Sequence, residues 1–218
     1  MPTENEFRAA LDKTLSFARD LDDQIDAEHA DELAIYETNA GDELICSGHR
    51  FVTDDDSIYL VTGHPKFRFV SVVYFLDIRR YVFKSVDESL AAKVLEVEDE
   101  GITEQHRRDA TVQLLNSMSS DDQEALEVYL YLMVSGDENS INFQKIDEED
   151  GQDGLSHVVI GEKIFPYEEG FNIRKFYQAK RSVLNAGKRA SELVPRSLKI
   201  EEPEDESERV SLRPRFQW

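Results

Sequence analysis

Residues 69–76 read FVSVVYFL, and this nearly continuous apolar run decides the fold class. A strand with water on one face alternates apolar and polar side chains, whereas a strand covered on both faces is apolar throughout. We therefore predict a central strand of a sheet here. The longer apolar run from Phe67 to Ile78 is only twelve residues and contains Arg68 and Asp77, so it cannot span a bilayer.

Short β-prone runs divided by polar turns flank this strand on both sides in the sequence. Such runs, bounded by turn residues, predict an antiparallel sheet of about five or six strands. The last two are separated by DEEDGQDG (147–154), which favours a hairpin. The runs are LAIYET (33–38), ELICSGHRFVT (43–53), SIYLVTG (57–63), SINFQKI (140–146) and LSHVVIGEKIF (155–165).

Helices are predicted at both ends of this region and within it. A capping box at Thr3 and Glu6, followed by apolar residues at helical spacing, opens a first helix. Three successive helix-start signals mark a helical insertion between the strands, and a long amphipathic helix ends before Pro195. The three helical regions are residues 4–26, about 85–135, and 172–194.

This α+β order of elements resembles the type III secretion chaperone-like fold over roughly residues 4–193. The chain differs from that family in having about three helical segments where the family usually has one. The resemblance implies a binding protein, often a homodimer, without catalytic residues. We expect a single domain over residues 1–200, with the insertion at 85–135, followed by a linker and tail at 201–218.

The charge balance is strongly acidic. The 218 residues contain 46 Asp and Glu against 25 Lys and Arg, a formal net charge of −21. Such an excess repels itself unless ions screen it, and at about 1 M salt the screening length falls to roughly 3 Å. The composition therefore predicts a salt-adapted protein; the alternative is a merely acidic protein of a low-salt cytoplasm.

The compartment is predicted from what the sequence lacks. The only cysteine, Cys46, permits no intramolecular disulfide, which favours a reducing environment. The N-terminal sequence MPTENEFRAALDKTL has no basic segment followed by an apolar one, so no secretory signal is expected. We expect a cytoplasmic protein.

Candidate chemical groups do not form a recognised motif. Cys46 and His49 stand near each other in ICSGHR, but a β-prone run more often holds a small buried cysteine than a nucleophile. Acidic clusters at 54–56 and 147–150 do not match a calcium-binding loop. Phosphate-binding, nucleophile-elbow and zinc motifs are not found. We therefore predict no catalytic residues, no metal site and no cofactor.

The last helix is cationic in an anionic chain. Residues 171–199 contain eight basic residues and one acid, and Arg174, Arg181 and Lys188 recur at seven-residue intervals, with Arg189 nearby. Nucleic acid, an anionic membrane and protein are the three candidate partners of these four side chains. The net charge opposes nucleic acid, and one short basic stripe without a lipidation signal does not suit a membrane. Protein contact is the favoured hypothesis, either with acidic elements of its own chain, such as the first helix, or with an acidic partner or second subunit.

After this helix come the acidic stretch EEPEDESE (201–208) and the final residues RVSLRPRFQW (209–218). Few apolar residues and many charges predict a disordered tail. Aromatic and arginine side chains dominate binding hot spots, so Leu212, Phe216 and Trp218 are candidate docking residues. The alternatives are that this segment folds back on its own acidic body or pairs as an edge strand.

Together these features predict a non-enzymatic protein-interaction or chaperone-like module. Its partner is another protein or a second copy in a homodimer, and neither nucleic acid nor a membrane is favoured. The runner-up is a nucleic-acid-associated regulator that uses the basic helix. A third hypothesis is an enzyme with an unrecognised carboxylate site.

Overall fold

The structure, a computed structural model, describes residues 2–21, 23–25, 34–37, 43–54, 57–98, 101–134, 140–145, 155–201 and 209–216. The helices in this part of the chain are α1 (Glu4–Asp20), α2 (Ile78–Ser85), α3 (Glu88–Leu95), α4 (Glu104–Asn116), α5 (Ser120–Val134) and α6 (Ile173–Ser197). The strands are β1 (Gln24–Ile25), β2 (Ala34–Glu37), β3 (Glu43–Val52), β4 (Ile58–Gly63), β5 (Val70–Asp77), β6 (Ser140–Lys145), β7 (Leu155–Ile164), β8 (Leu198–Glu201) and β9 (Ser211–Pro214). The predicted α+β class is confirmed.

The chain divides into two compact units, each built from several stretches of sequence. The first unit comprises Met1–Phe75, Gly136–Ser140 and Ile160–Gly187. The second comprises Leu76–Ser135, Ile141–Val159 and Lys188–Trp218. Strand β7 and helix α6 therefore contribute residues to both units, and each unit is described by itself.

The main sheet has the strand order β1-β3-β4-β5-β7-β6, with β2 also paired to β3. Strands β1, β2 and β4 pair with β3 in antiparallel fashion, and β4 pairs with β5 in the same way. Phe51 lies opposite Tyr59 and Val61 opposite Val72 in these ladders. Strand β5 therefore has a neighbour on each side, and its residues are buried or half-buried throughout, as its apolar run predicted.

The core of the first unit forms where α1 and the first part of α6 cover this sheet. Both helices bury an apolar stripe against side chains of β3, β4 and β5. The buried members are Phe7, Leu11, Ala18, Phe51, Tyr59, Val61, Val70, Val72, Ile164, Phe171, Phe176, Ala179, Val183 and Leu184. The predicted packing of N- and C-terminal helices on the sheet is thus present.

Helix α1 begins as its capping box predicted but ends earlier. The Glu6 carboxylate accepts a hydrogen bond from the Thr3 backbone N–H over 2.6 Å, and the Thr3 side chain accepts one from Glu6 N–H. The helix ends at Asp20 rather than near residue 26, because the N–H groups of Leu21 and Asp23 both turn back to the Ala18 carbonyl. The turn directs the chain into β1.

The second unit contains four of the helices, one more than the insertion predicted. The sequence does not predict helix α2, because this helix follows the apolar run of β5 without a break. Its N-cap, Asp77, makes no side-chain hydrogen bond to the helix. Helices α3 and α4 do have such caps, Asp87 and Thr103. Arg107 on α4 donates to the Val86 carbonyl over 2.7 Å and thereby ties α4 to the α2–α3 junction.

The end of the chain corrects the prediction of a disordered tail. Strand β9 pairs antiparallel with β8, with Leu212 opposite Ile200, and Leu212 is buried. The Arg215 N–H donates to the Ser197 carbonyl over 2.6 Å. The alternative of strand pairing is therefore the one observed for residues 209–216, while the acidic linker at 202–208 lies outside the described residues.

Helix α6 is longer than predicted, because it ends at Ser197 and not near residue 194. Helix α6 continues through the exposed Pro195 to Ser197, because a proline in the last turn removes only one helical hydrogen bond. Among the described helices, none combines the length and the apolarity needed to cross a membrane.

Candidate functional site

The structure places the predicted basic residues of α6 at the surface. Arg174 and Arg181, in the first unit, and Lys188 and Arg189, in the second, are all exposed. On the opposite side of the helix Phe176, Val183 and Leu184 are buried, as its amphipathic pattern predicted. Tyr177 is 41% exposed, and it lies on the same helical face as Arg174 and Arg181.

Lys180, a fifth basic residue of this helix, is buried instead. Its ammonium nitrogen lies 2.6 and 2.8 Å from the two carboxylate oxygens of Asp23. The Tyr59 hydroxyl donates a hydrogen bond of 2.6 Å to the same carboxylate, and the ammonium lies 5.6 Å from the centre of the Tyr59 ring. We call these three residues the Lys180 cluster.

The Lys180 cluster is a closed arrangement rather than a reactive one. The Lys180 and Asp23 side chains are only 10% and 3% exposed. Burial, and then the hydrogen bond to Asp23, raise the pKa of the Tyr59 hydroxyl far above its usual range, so the phenol keeps its proton. Each carboxylate oxygen of Asp23 is already engaged, which suits a structural role for the cluster.

The Cys46 and His49 pair does not form a nucleophilic site. The two residues are three positions apart on β3, so their side chains point to opposite faces of the sheet. Burial raises the pKa of the Cys46 thiol to about 11, which keeps it protonated at neutral pH. Within the described residues no group of three or more His, Cys, Asp or Glu could hold a metal ion.

Two of the three candidate docking residues of the tail, Leu212 and Phe216, contact their own chain. Leu212 is buried, and its N–H donates to the Ser117 hydroxyl over 3.0 Å. The centre of the Phe216 ring lies 4.8 Å from the centre of the Tyr129 ring on α5. A partner could therefore reach Leu212 only after β9 leaves the second unit, and Trp218 lies outside the described residues.

A surface that the sequence did not single out lies on α5. Leu126, Tyr129, Leu130 and Val134 of this helix are buried, as a helix-spaced stripe should be. The outward side is also apolar in its second half: Val128, Tyr131 and Leu132 are 50%, 51% and 60% exposed. We call these three residues the α5 apolar face. Met133, beside them at the helix end, is 43% exposed.

The α5 apolar face is preceded by acids on the same side of the helix. Asp121 and Glu124 stand seven and four residues before Val128, so all three occupy one helical face, and both carboxylates are exposed. The face therefore runs from acidic to apolar along α5. The sequence LEVYLYLMV predicted a helix, but a helix that is apolar all round gives no indication of which side stays in water.

A cleft is a further feature of the second unit. A cleft of about 400 Å³ lies between α3 and β8, and Lys93, Lys199, Ser85 and Ser89 contribute polar side chains to its lining. Asp87, also in the lining, is engaged by the helix start, where it accepts from the Leu90 N–H over 2.8 Å. The cleft thus offers exposed cations and hydroxyls without a buried functional group.

The likeness to the type III secretion chaperone-like fold rests on the order of elements and stays a prediction. Between β5 and β6 the chain has α2, α3, α4 and α5, whereas that family usually has one helix there. Comparison with known proteins identifies no relative: no family model, curated protein or solved structure matches this chain.

Proposed function

We propose that this chain is a non-enzymatic protein-interaction module that binds its partner through the α5 apolar face. The observation that carries the proposal is the half-exposure of Val128, Tyr131 and Leu132 on one side of a helix. Scattered exposed apolar residues are ordinary, but a contiguous patch of this kind typically marks a contact surface.

The size of the face indicates what kind of contact it supports. Three half-exposed large side chains present on the order of 300 Å² of apolar surface. At about 25 cal/mol per Å², covering that surface contributes roughly 7 kcal/mol. Association itself costs about 4–15 kcal/mol, so the apolar contact alone gives weak binding. Charged groups beside it are needed for a specific complex, and Asp121 and Glu124 are placed to supply them.

The polar features of the chain favour binding over catalysis. Asp23 is the most deeply buried acid among the described residues, and its carboxylate is held by Lys180 and Tyr59, so its burial needs no catalytic role to explain it. The Cys46 thiol is kept protonated by burial. These two observations support the non-enzymatic proposal over the enzyme hypothesis.

Nucleic-acid association is the second candidate, and the observation that favours it is the exposure of Arg174, Arg181, Lys188 and Arg189. Binding through such residues would release counterions, so the affinity would fall steeply with salt. The net charge of −21 opposes the approach of phosphates. A salt series of gel shifts with labelled duplex DNA and single-stranded RNA measures this directly, and an Arg174→Glu, Arg181→Glu variant should remove any shift.

A photoreactive residue at position 132 tests the protein-binding proposal. In native lysate the residue at position 132 should cross-link to a partner protein. The same photoreactive residue at position 12, on the exposed side of α1, is the control and should not capture that protein. The captured protein is then purified and titrated against wild type and against Leu132→Glu. We expect the variant to bind at least about tenfold more weakly, since one buried leucine contributes roughly 1.5–3 kcal/mol. Equal binding by both chains, or no capture at position 132, would overturn the proposal.

A further inference from the structure

We infer that the α5 apolar face of one copy binds the basic side of α6 on a second copy of this chain. This inference rests on the proposed function and names the partner of that same surface. It joins two exposed helix faces of opposite charge, each with apolar side chains at its centre or end. It also gives a strongly acidic protein a reason to keep a cationic helix.

The basic face consists of Arg174, Tyr177 and Arg181, which are three and four residues apart and lie on one side of the helix. All three side chains are exposed, with Tyr177 at 41%. An aromatic ring between two arginines is the composition that dominates protein contact surfaces. This side of α6 is called the α6 basic face.

The two faces match in charge. The α5 side carries Asp121 and Glu124 beside its apolar residues, and α5 contains no Lys or Arg. The α6 basic face carries two arginines and no acid. Two α5 faces brought together would instead have only acids to offer each other, so charge favours the α5-to-α6 pairing over α5-to-α5.

The two faces also match in spacing. Each residue of a helix advances about 1.5 Å, so Glu124 lies roughly 6 Å along α5 from Val128. On α6, Arg174 and Arg181 lie about 4.5 and 6 Å along the axis from Tyr177. With the Tyr177 ring over Val128, one arginine therefore stands level with Glu124 whichever way the helices run. Arginine suits this position, because its planar fork pairs with a carboxylate through two hydrogen bonds.

The test measures self-association by sedimentation between about 1 µM and 1 mM, the range of weak complexes. It is run at about 0.15 M and about 1 M chloride, since stronger screening reduces the mutual repulsion of two acidic chains. The α5 variant carries Leu132→Glu, and the α6 variant carries Arg174→Glu with Arg181→Glu. We expect wild type to self-associate, and we expect each variant to have a self-association dissociation constant at least about tenfold higher.

Matched controls separate a specific contact from a general effect. Val97→Glu introduces an acid at another exposed valine, which is 49% exposed. Lys66→Glu with Arg68→Glu makes the same charge change at two other exposed basic residues. Both controls should associate like wild type, and urea unfolding should show that every variant is folded.

Mixing the α5 variant with the α6 variant is the most stringent test. In the mixture one contact stays intact. The unchanged α5 of the Arg174→Glu, Arg181→Glu chain can bind the unchanged α6 of the Leu132→Glu chain. We expect the mixture to associate although neither variant does so alone. A further chain with Glu124→Arg added to Arg174→Glu and Arg181→Glu should recover association, because the charges are exchanged.

The outcomes distinguish this inference from the proposed function. If wild type stays monomeric while position 132 captures a different protein, the second-copy inference is wrong and the interaction function stands. If Leu132→Glu abolishes a dimer that the α6 variant still forms, the α5 apolar face binds a surface other than the α6 basic face, and the inference is again wrong. If Leu132→Glu alters neither self-association nor capture, both proposals fail.

Discussion

Lys180 lies on a helix whose other basic side chains face water, yet its ammonium is buried against Asp23 and beside Tyr59. We predict that Lys180→Met lowers the free energy of unfolding by about 3–5 kcal/mol, because it leaves the Asp23 carboxylate buried without its countercharge. Urea unfolding followed by circular dichroism measures the loss. The exposed neighbour Lys175→Met is the control and should change stability by less than about 0.5 kcal/mol.

A double variant tests the cause of this loss. Lys180→Met combined with Asp23→Leu removes both charges, so most of the stability should return. If Lys180→Met alone loses less than about 1 kcal/mol, the ion pair is not an important stabilising contact in this unit. The sequence could not reveal this cluster, because Lys180 and Asp23 are 157 residues apart. The local signal was the spacing of Lys180, four residues from both Phe176 and Leu184, which places it on the buried side of α6.

Gly187, on α6, lies directly against the Tyr74 ring of β5. A Cβ atom at this position would come within 2.5 Å of that ring, closer than any real contact. Gly→Ala on a helix normally stabilises by about 0.5–1 kcal/mol, but here we predict that Gly187→Ala destabilises by about 1–3 kcal/mol. Thermal and urea unfolding measure the change. Asn185→Ala, exposed on the same helix, should be neutral or slightly stabilising, and a stabilising Gly187→Ala would contradict the close packing.

At the scale of elements, the sequence predicts best where one local pattern has one structural meaning. The apolar run of β5 and the capping box of α1 determine the central strand and the start of the first helix. Helix α2 is not predicted because it follows β5 without a break, so the apolar run and the helix start cannot be told apart in the sequence. The sequence does not decide the pairing of β9, because its partner β8 lies beyond an acidic stretch and only tertiary contacts make the pairing favourable.

The strand β9 should therefore stabilise the second unit. Leu212 is its buried residue, and we predict that Leu212→Ala lowers the free energy of unfolding by about 2–5 kcal/mol through a cavity at this site. Arg213→Ala removes an exposed side chain from the same strand and should cost less than about 0.5 kcal/mol. Urea unfolding of the two variants compares them. Equal stability of both would show that β9 does not pack on this unit in solution.

At the scale of the whole molecule, two kinds of electrostatic interaction respond differently to salt. The net charge of −21 is a long-range repulsion among mostly exposed groups. The Asp23–Lys180 pair is a short-range attraction inside the protein, where screening by ions is much weaker. Salt should therefore change the total stability while leaving the contribution of the buried pair nearly constant.

We accordingly predict that the free energy of unfolding rises when chloride increases from about 0.1 M to about 1 M, because the screening length falls from roughly 10 Å to roughly 3 Å. Urea unfolding at each salt concentration measures the rise. A variant with Asp12→Asn, Glu98→Gln, Glu168→Gln and Glu169→Gln, all at exposed acids, should show a smaller rise. The loss caused by Lys180→Met should be the same at both ends of the series. Equal stability of wild type in dilute and molar salt would contradict the salt-adapted interpretation, and a Lys180→Met loss that vanishes in molar salt would show that the pair is open to water.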